Sequence, residues 1–200
     1  MKRIGILISG RGSNMKAIVH NTRDGILRGW CEVAVVLSNV PMAVGLSTAR
    51  NLDVPTAVVD SKAKKRRVFE REMLAILEEY RIDYVVLAGF MRILSPQFIE
   101  HYRNRIINIH PADTNRFRGL GGYEWAYKQR LPTTKITVHC VDEGVDTGIV
   151  LAQRTVDLRG AETREEVERR GLAVEHTFYS EVLLQIMRGD ITVEALDEPR

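Results

Sequence analysis

The fold is decided by residues 2–20, which read KRIGILISGRGSNMKAIVH. The apolar run Lys2–Ile8 is typical of a short buried strand, and Ser9-Gly10-Arg11-Gly12 interrupts it. From Ser13 to His20 the apolar residues return at helical spacing. This stretch predicts a strand, a glycine-rich turn and a helix, in that order.

The same alternation continues along the chain. Apolar runs predict further strands, and segments with helical spacing separate them. Continuous apolar strands separated by helices are typical of a parallel sheet that is buried on both faces. The predicted strands are Glu32–Leu37, Pro55–Val59, Tyr84–Ala88 and Ile106–Ile109, and the predicted helices are Ala43–Asn51, Val68–Tyr80 and Pro96–Tyr102.

The last third of the chain has a different pattern. The β-rich runs Lys135–Val141 and Ile149–Asp157 are joined by Asp142–Gly148, a link too short for a crossover helix, so we expect an antiparallel pair. Thr163–Arg188 has the spacing of a long closing helix. The predicted fold class is therefore α/β: a Rossmann-like, mostly parallel sheet with helices on both faces, a C-terminal antiparallel β extension and a closing helix.

Composition excludes several classes of protein. The chain has 200 residues and a formal net charge of +3, which is too small for the basic stripe of a nucleic-acid-binding protein. The first apolar run stops at Ser9-Gly10, which is too early for the apolar segment of a secretory signal. No stretch approaches the roughly 18 apolar residues of a membrane span. Cys31 and Cys140 cannot build a disulfide framework or a four-cysteine zinc site. We expect a cytoplasmic protein without nucleic-acid or membrane partners and without a metal.

The glycine-rich turn is the first candidate binding site. Gly12 allows a close approach of the backbone, and the free N–H groups at Ser13 and Asn14 favour an anion such as phosphate. Met15 stands where a dinucleotide fingerprint has its third glycine, and the second strand lacks a terminal acid for a ribose. This pattern favours a mononucleotide or sugar phosphate, and a plain structural turn is the alternative.

The second candidate follows the predicted strand Ile106–Ile109. Alternation places Asn108 and His110 on one side, at the end of the strand where α/β sheets bind ligands. An amide that stabilises an oxyanion and an imidazole that moves a proton suit acyl transfer. A satisfied structural histidine is the alternative.

The third candidate is the acidic loop Asp142–Gly148. It reads as a hydrophilic hairpin loop, or it places a carboxylate over His110, which fixes the tautomer of the ring and raises its pKa. Metal-ligand spacing is absent from the remaining histidines, which are His20, His101, His139 and His176.

Four segments together resemble one family. ISGRGSNMKAI, VVLAGFMRILSPQFI, IINIHP and VDEGVDTGIVLAQ are similar, in order and separation, to the phosphoribosylglycinamide formyltransferases of purine biosynthesis. The resemblance implies a formyl transfer from 10-formyltetrahydrofolate, as co-substrate, to the amine of glycinamide ribonucleotide. It also implies a monomer or homodimer and a single domain over residues 1–200, with a phosphate- or nucleotide-binding half (1–110) and a folate-binding and closing half (111–200).

The resemblance also implies roles for individual residues. The catalytic residues would be Asn108, His110 and Asp146, and the substrate phosphate would lie on Gly12, Ser13 and Asn14. The remaining substrate contacts would come from Arg66, Gly89, Phe90, Met91, Pro111 and Glu175. The folate would contact Leu87, Arg92, Ile93, Leu94, Val141, Asp142, Glu143, Gly144 and Val145.

One stretch departs from the family pattern. The family usually has Ser-Leu-Leu-Pro and later Gly-Leu-His after the His-Pro pair, whereas this chain has Ala112–Asn115 and then Gly119–Tyr123. Arg116 and Arg118 add positive charge between them. We favour the same acceptor held by a rebuilt wall. The alternatives are a different amine acceptor, water in a formyltetrahydrofolate hydrolase, or a nucleotide-binding module without catalysis.

Overall fold

The computed structural model describes residues 1–62 and 64–192. Within this part of the chain, strands and helices alternate nearly from end to end. The strands are β1 (Lys2–Ile8), β2 (Cys31–Ser38), β3 (Thr56–Val58), β4 (Tyr84–Leu87), β5 (Ile106–His110), β6 (Thr133–Cys140) and β7 (Val150–Asp157). The helices are α1 (Ser13–Asp24), α2 (Val44–Asn51), α3 (Arg66–Glu79), α4 (Pro96–His101), α5 (Gly122–Lys128) and α6 (Arg164–Arg188).

The strands of the described residues form one seven-stranded sheet in the order β3-β2-β1-β4-β5-β6-β7. The first five strands in this order pair in parallel, and β6 and β7 add antiparallel pairs. The predicted fold class is therefore confirmed. The strand order changes direction between β1 and β4. In open α/β sheets, ligands usually bind in the crevice at the carboxyl ends of the strands beside such a change.

Helices cover both faces of the sheet because successive strand residues point to opposite sides. Ile6 packs into a core with Ile18 of α1 and Val182 of α6, and helices α2 and α5 complete that layer. Leu7 packs into the opposite core with Met73 of α3 and Phe98 of α4. Continuous apolar strands thus have a partner layer on each side.

Tyr179 of α6 fixes the closing helix against the centre of the sheet. Its buried hydroxyl donates to the carbonyl oxygens of Leu87 in β4 at 3.0 Å and Ile107 in β5 at 2.9 Å. Burial raises its pKa well above the usual range, so the hydroxyl stays a neutral donor. Glu175, Tyr179 and Val182 lie on the buried face of α6, and Ile186 is partly buried.

The sequence analysis missed helix α5. This short helix begins after Gly121, which has a left-handed backbone with φ of 87°. The two glycines at its start, Gly121 and Gly122, are unfavourable in helices, so residues 122–128 were not predicted as helical. Ala126 of this helix nevertheless packs into the core. Helix α1 also runs to Asp24, beyond the predicted end at His20.

Cys31 and Cys140 are both buried. Burial raises the pKa of Cys31 to about 12, so its thiol stays protonated and packs as a small apolar group. No helix in residues 1–62 and 64–192 is long and apolar enough to cross a membrane.

Candidate active site

A cavity of about 390 Å³ opens at the carboxyl ends of β4 and β5. The sheet contributes its polar floor, and the segments after β4 and β6 contribute its walls. Its lining includes the predicted residues Leu87, Gly89, Phe90, Met91, Arg92, Ile93, Leu94, Asn108, His110, Pro111, Val141, Asp142, Gly144, Val145 and Asp146. A larger open depression of about 690 Å³ between α5 and the start of α6 contains none of the predicted site residues.

His110 and Asp146 form the centre of the floor. Nδ1 of His110 lies 3.2 Å from Oδ2 of Asp146, and both side chains are largely shielded from solvent. The backbone of Asp146 is left-handed, with φ of 51°, and its Oδ2 also accepts from the N–H of Gly119 at 2.8 Å. The loop after β6 therefore delivers a carboxylate to His110, as the third sequence hypothesis proposed.

Asn108 and His139 complete this cluster. Nδ2 of Asn108 lies 3.3 Å from Oδ1 of Asp146 and 3.1 Å from Nε2 of His139. Nδ1 of His139 faces the carbonyl oxygen of Cys140 at 3.0 Å, and a carbonyl only accepts, so Nδ1 carries the proton. With the proton on Nδ1, Nε2 of His139 is the acceptor for the Asn108 amide.

Sequence reasoning missed His139 because it lacks metal-ligand spacing. Its position is set by the antiparallel register, which pairs His139 of β6 with Asn108 of β5. Residues directly opposite each other in such a pair point to the same face. The signal was available in the alternation of β6, but only the register of the two strands identifies the partner.

The second ring nitrogen of His110 is held by the segment that departs from the family pattern. Nε2 lies 3.0 Å from the carbonyl oxygen of Phe117, and the Phe117 ring is stacked between the rings of His110 and Trp125, with centroids 6.4 and 5.0 Å away. Burial lowers the pKa of His110, although Asp146 and the Phe117 carbonyl act to raise it. Asp146 thus has the expected raising effect on the pKa of His110, but desolvation of the imidazolium outweighs it, so the net shift is downward.

Asp146 stays ionised in this cluster. Burial acts to raise its pKa, but the adjacent His139, the hydrogen bond from the Gly119 N–H and the nearby His110 lower the pKa below its usual value. A charged carboxylate that faces an imidazole can stabilise an imidazolium at the moment when the ring takes up a proton.

The residues predicted to bind phosphate, Gly12, Ser13 and Asn14, lie outside the cavity lining, at the start of α1. Gly12 has a left-handed backbone with φ of 73°, and an added Cβ would lie 3.0 Å from the Cα of Gly45. The turn therefore requires glycine both for its dihedral angle and for the close approach of α2. It leaves the first N–H groups of α1 at the carboxyl end of β1, where an anion is favoured.

Glu175 reaches this turn from α6. The side chain is 5% exposed, and it accepts hydrogen bonds from Nδ2 of Asn14 and from the hydroxyl of Tyr123. Burial raises the pKa of Glu175, and the two donors oppose that shift. Helices α1, α5 and α6 thus meet at one buried carboxylate.

Two predicted residues lie away from these groups. Arg66 at the start of α3 donates to Glu70 at 3.1 Å, and Glu70 accepts from the backbone N–H of Ser95 at 2.8 Å, next to the cavity wall. Glu143 is exposed in the loop after β6 and does not line the cavity. In residues 1–62 and 64–192, no group of three acidic, histidine or cysteine side chains is arranged to hold a metal ion.

Comparison with known proteins identifies the family. The formyl transferase family is matched by residues 2–183. The chain belongs to this family. The resemblance noted in the sequence is thereby confirmed.

The family relatives include both long and short proteins. The trifunctional purine biosynthetic protein adenosine-3 of Drosophila melanogaster is 35% identical over 189 residues, which cover 94% of this chain and 14% of that protein. The phosphoribosylglycinamide formyltransferase of Bacillus subtilis is 30% identical over 189 residues, which cover 94% of this chain and 95% of that protein. The chain thus spans about a seventh of the first relative and nearly the whole of the second.

A solved family structure has the same fold. The crystal structure of glycinamide ribonucleotide transformylase 1 from Symbiobacterium toebii aligns with a TM-score of 0.89 and 37% identity. The alignment covers 94% of this chain and 89% of that chain. The match extends through the elements that carry the cavity and the glycine-rich turn.

Within this formyltransferase chain, the unusual segment after Pro111 is firmly anchored. The carbonyl of Ala112 accepts from the buried hydroxyl of Thr137 at 2.6 Å, and Asp113 pairs with Lys135 at 2.8 Å. The Lys135 ammonium is the main cause of the lowered pKa of Asp113. The anchors come from β6, so the strand that carries His139 also supports this wall.

The two arginines of that segment have partners in the protein. The guanidinium of Arg116 lies 5.8 Å from the centre of the Trp125 ring, and Nε of Arg118 donates to the carbonyl of Thr114 at 2.8 Å. The positive charge of this segment therefore takes part in contacts that stabilise the segment itself.

Proposed function

We propose that this chain transfers a formyl group from 10-formyltetrahydrofolate to the amine of glycinamide ribonucleotide, in purine biosynthesis. The observation that carries the proposal is the cluster of Asn108, His110 and Asp146 on the floor of the cavity of about 390 Å³. An amide, an imidazole and a carboxylate at one point are the groups that acyl transfer to an amine needs. The names of the bacterial relative and of the solved structure support the same acceptor.

The outer cavity supports a folate donor. Met91, Ile93, Leu120 and Val145 are exposed large apolar side chains, and all four line this cavity. Exposed apolar residues grouped in a cavity are typical of a binding groove for a flat, partly apolar ligand. We assign the reduced pterin of the donor to this wall, with the loop that contains Asp142 and Gly144 beside it.

The reaction replaces one nitrogen–carbon bond with another. The acceptor amine attacks the formyl carbon, the bond to the donor nitrogen breaks, and the amine proton passes to that leaving nitrogen. Protonated His110 stabilises the tetrahedral oxyanion, which displaces the Phe117 carbonyl from Nε2 because a charged oxygen is the stronger acceptor. Asp146 stabilises the imidazolium through Nδ1 and helps to relay the proton. No metal is required by these steps.

Asn108 has two roles in this scheme. Both hydrogens of its amide have internal acceptors, His139 and Asp146, which fix the plane of the side chain. When the oxyanion forms, one of these hydrogens turns to the developing charge. A donor of this kind contributes roughly 100–1000-fold to the rate.

The acceptor lies between this floor and the glycine-rich turn. Its phosphate binds Gly12, Ser13 and Asn14 at the start of α1, and its sugar faces Glu175. Residues 1–110 supply the turn and the floor, and residues 111–200 supply the folate wall and the closing helix, so the chain acts as one formyltransferase domain. We expect a monomer or a homodimer in the cytoplasm.

The deciding experiment is a direct assay of the purified protein with 10-formyltetrahydrofolate. Three parallel reactions contain glycinamide ribonucleotide, an amino sugar, or water alone, and each is followed by release of tetrahydrofolate. We expect turnover only with glycinamide ribonucleotide, at about 1 s⁻¹ or faster. Turnover only with the amino sugar would identify a different acceptor, formate release in water would identify a hydrolase, and the absence of turnover in all three would favour a binding module.

A further inference from the structure

Tyr123 belongs to the segment that departs from the family pattern, yet its hydroxyl contacts a proposed substrate-binding carboxylate. It donates to Oε1 of Glu175, while Asn14 donates to Oε2. We propose that Tyr123 is a positioning residue that holds Glu175 in the orientation that binds the sugar of the amine acceptor. This inference rests on the proposed function and adds a residue that sets acceptor affinity.

The ring of Tyr123 has space only because α6 carries a glycine opposite it. A Cβ on Gly171 would overlap Cε1, Cζ and the hydroxyl of Tyr123. Gly171 and Glu175 are one helical turn apart and therefore lie on the same face of α6. The Tyr123 ring thus packs against Gly171, and its hydroxyl donates to the carboxylate of Glu175 one helical turn further along α6.

The groups around Glu175 explain why the contact matters. Burial disfavours the charged carboxylate, and Glu168 on the same helix disfavours it further. Tyr123 from α5 and Asn14 from α1 favour the charged form, and Tyr179 is the other titratable neighbour on α6. Without the Tyr123 hydroxyl, the carboxylate keeps one of these two donors.

An unused acceptor atom lies beside the carboxylate. Oδ1 of Asn14 is buried and has no hydrogen-bond partner among the described residues, although Nδ2 of the same amide is engaged. Buried polar atoms in proteins nearly always have a partner. The free oxygen of Asn14 and the lone pairs of Glu175 are all acceptors, so they fit a ligand that donates, such as the hydroxyls of a sugar ring.

Two substitutions remove the contact in different ways. Tyr123→Phe removes the hydroxyl and keeps the ring in its position, whereas Gly171→Ala keeps the hydroxyl group but displaces the ring that carries it. We expect each to raise the KM for glycinamide ribonucleotide roughly tenfold or more, because a hydrogen bond to a charged group is lost. The KM for 10-formyltetrahydrofolate should change less than twofold.

The double variant and a control test the shared mechanism. Tyr123→Phe with Gly171→Ala should be no worse than the stronger single variant, because both act on one contact. Tyr127→Phe, on the same helix and 39% exposed, should leave both KM values unchanged. Calorimetric titration of glycinamide ribonucleotide supplies a binding readout that does not depend on turnover.

A pH series separates positioning from general loosening of the fold. The Tyr123 hydroxyl favours the ionised form of Glu175, so its removal raises the pKa of Glu175. The affinity for the acceptor should then fall at a higher pH in Tyr123→Phe than in the wild type as the solution is acidified. The affinity for the folate donor should show no such shift.

The outcomes distinguish this inference from the proposed function. A wild-type protein that neither binds nor formylates glycinamide ribonucleotide would overturn the proposed function, and this inference with it. An active wild type with unchanged acceptor KM in both single variants would overturn this inference alone. Equal weakening of acceptor and donor without a pH shift would also overturn it, because that is the result of a merely structural role.

Discussion

The carbonyl oxygen of Phe117 lies 3.0 Å from Nε2 of His110. Since Asp146 faces the other ring nitrogen, both nitrogens meet groups that only accept. These contacts favour the imidazolium, whereas burial favours the neutral ring. The unusual segment therefore contacts the proposed catalytic histidine through a backbone carbonyl. This hydrogen-bond acceptor is present whichever side chain stands at that position of the segment.

Trp125 supports that backbone contact by stacking on Phe117. We expect Trp125→Ala to lower kcat several-fold and to reduce stability by about 3 kcal/mol, as for other large aromatic side chains that are removed from packed sites. Trp30→Ala is the matched control, because Trp30 also lies beneath an arginine but far from the cavity. Equal kcat for both variants would show that the stack of Trp125 on Phe117 does not contribute to catalysis.

Asp146→Asn should lower kcat roughly 100–1000-fold while both KM values change little, because the amide keeps the shape but cannot stabilise an imidazolium. The carboxylate raises the pKa of His110 against the effect of burial, so its loss lowers that pKa further. The reaction uses protonated His110. The decline of kcat with rising pH should therefore occur at a lower pH in the variant than in the wild type, and an unchanged profile would exclude Asp146 from the mechanism.

His139→Ala should lower kcat roughly 10–100-fold, the range typical of residues that orient a catalytic group. The change removes the acceptor that fixes Asn108, so the effect should fall on kcat more than on either KM. His101→Ala is the control, since His101 lies on α4 and pairs with Glu78 at 3.2 Å. Steady-state kinetics of both variants test this, and wild-type kcat in His139→Ala would contradict the proposed network.

Gly148→Ala tests the delivery of Asp146 by its loop. An added Cβ would overlap the carbonyl oxygen of Cys140 and lie 3.1 Å from the backbone nitrogen of Asp142. The backbone must move, so we expect kcat to fall about 100-fold. Gly144→Ala in the same loop meets only the side chain of Thr147, which can rotate, and its loss of kcat should be much smaller.

Gly12→Ala tests the proposed phosphate site. Strain at φ of 73° and a Cβ 3.0 Å from the Cα of Gly45 should distort the turn and raise the acceptor KM strongly. Gly29→Ala carries similar strain at φ of 80°, with nothing within 4 Å, and lies outside the site. Both variants should lose about 1 kcal/mol of stability, but only Gly12→Ala should lose acceptor affinity, as measured by separate titrations of the acceptor and the folate donor.

The sequence was sufficient for the fold because its signals are local. The run Lys2–Ile8 followed by a glycine turn and a helix predicts one strand–helix unit, and repetition of that unit predicts a parallel sheet. The short link Asp142–Gly148 likewise predicted the antiparallel pair. Helix α5 was not predicted, because a helix of seven residues that follows two glycines has too few turns to show a clear helical spacing of apolar residues.

The sequence by itself determined the fold class, the glycine-rich turn and the candidates Asn108 and His110, since each depends on residue types at fixed spacing along the chain. Asp146 was identified within its acidic loop by the resemblance to the formyltransferase family. Only the tertiary structure decided what those side chains meet. The register of β5 and β6 places His139 beside Asn108, and the packing of α5 on α6 places Tyr123 on Glu175. Burial, which depends on every packed neighbour, outweighs the raising effect of Asp146 and lowers the pKa of His110.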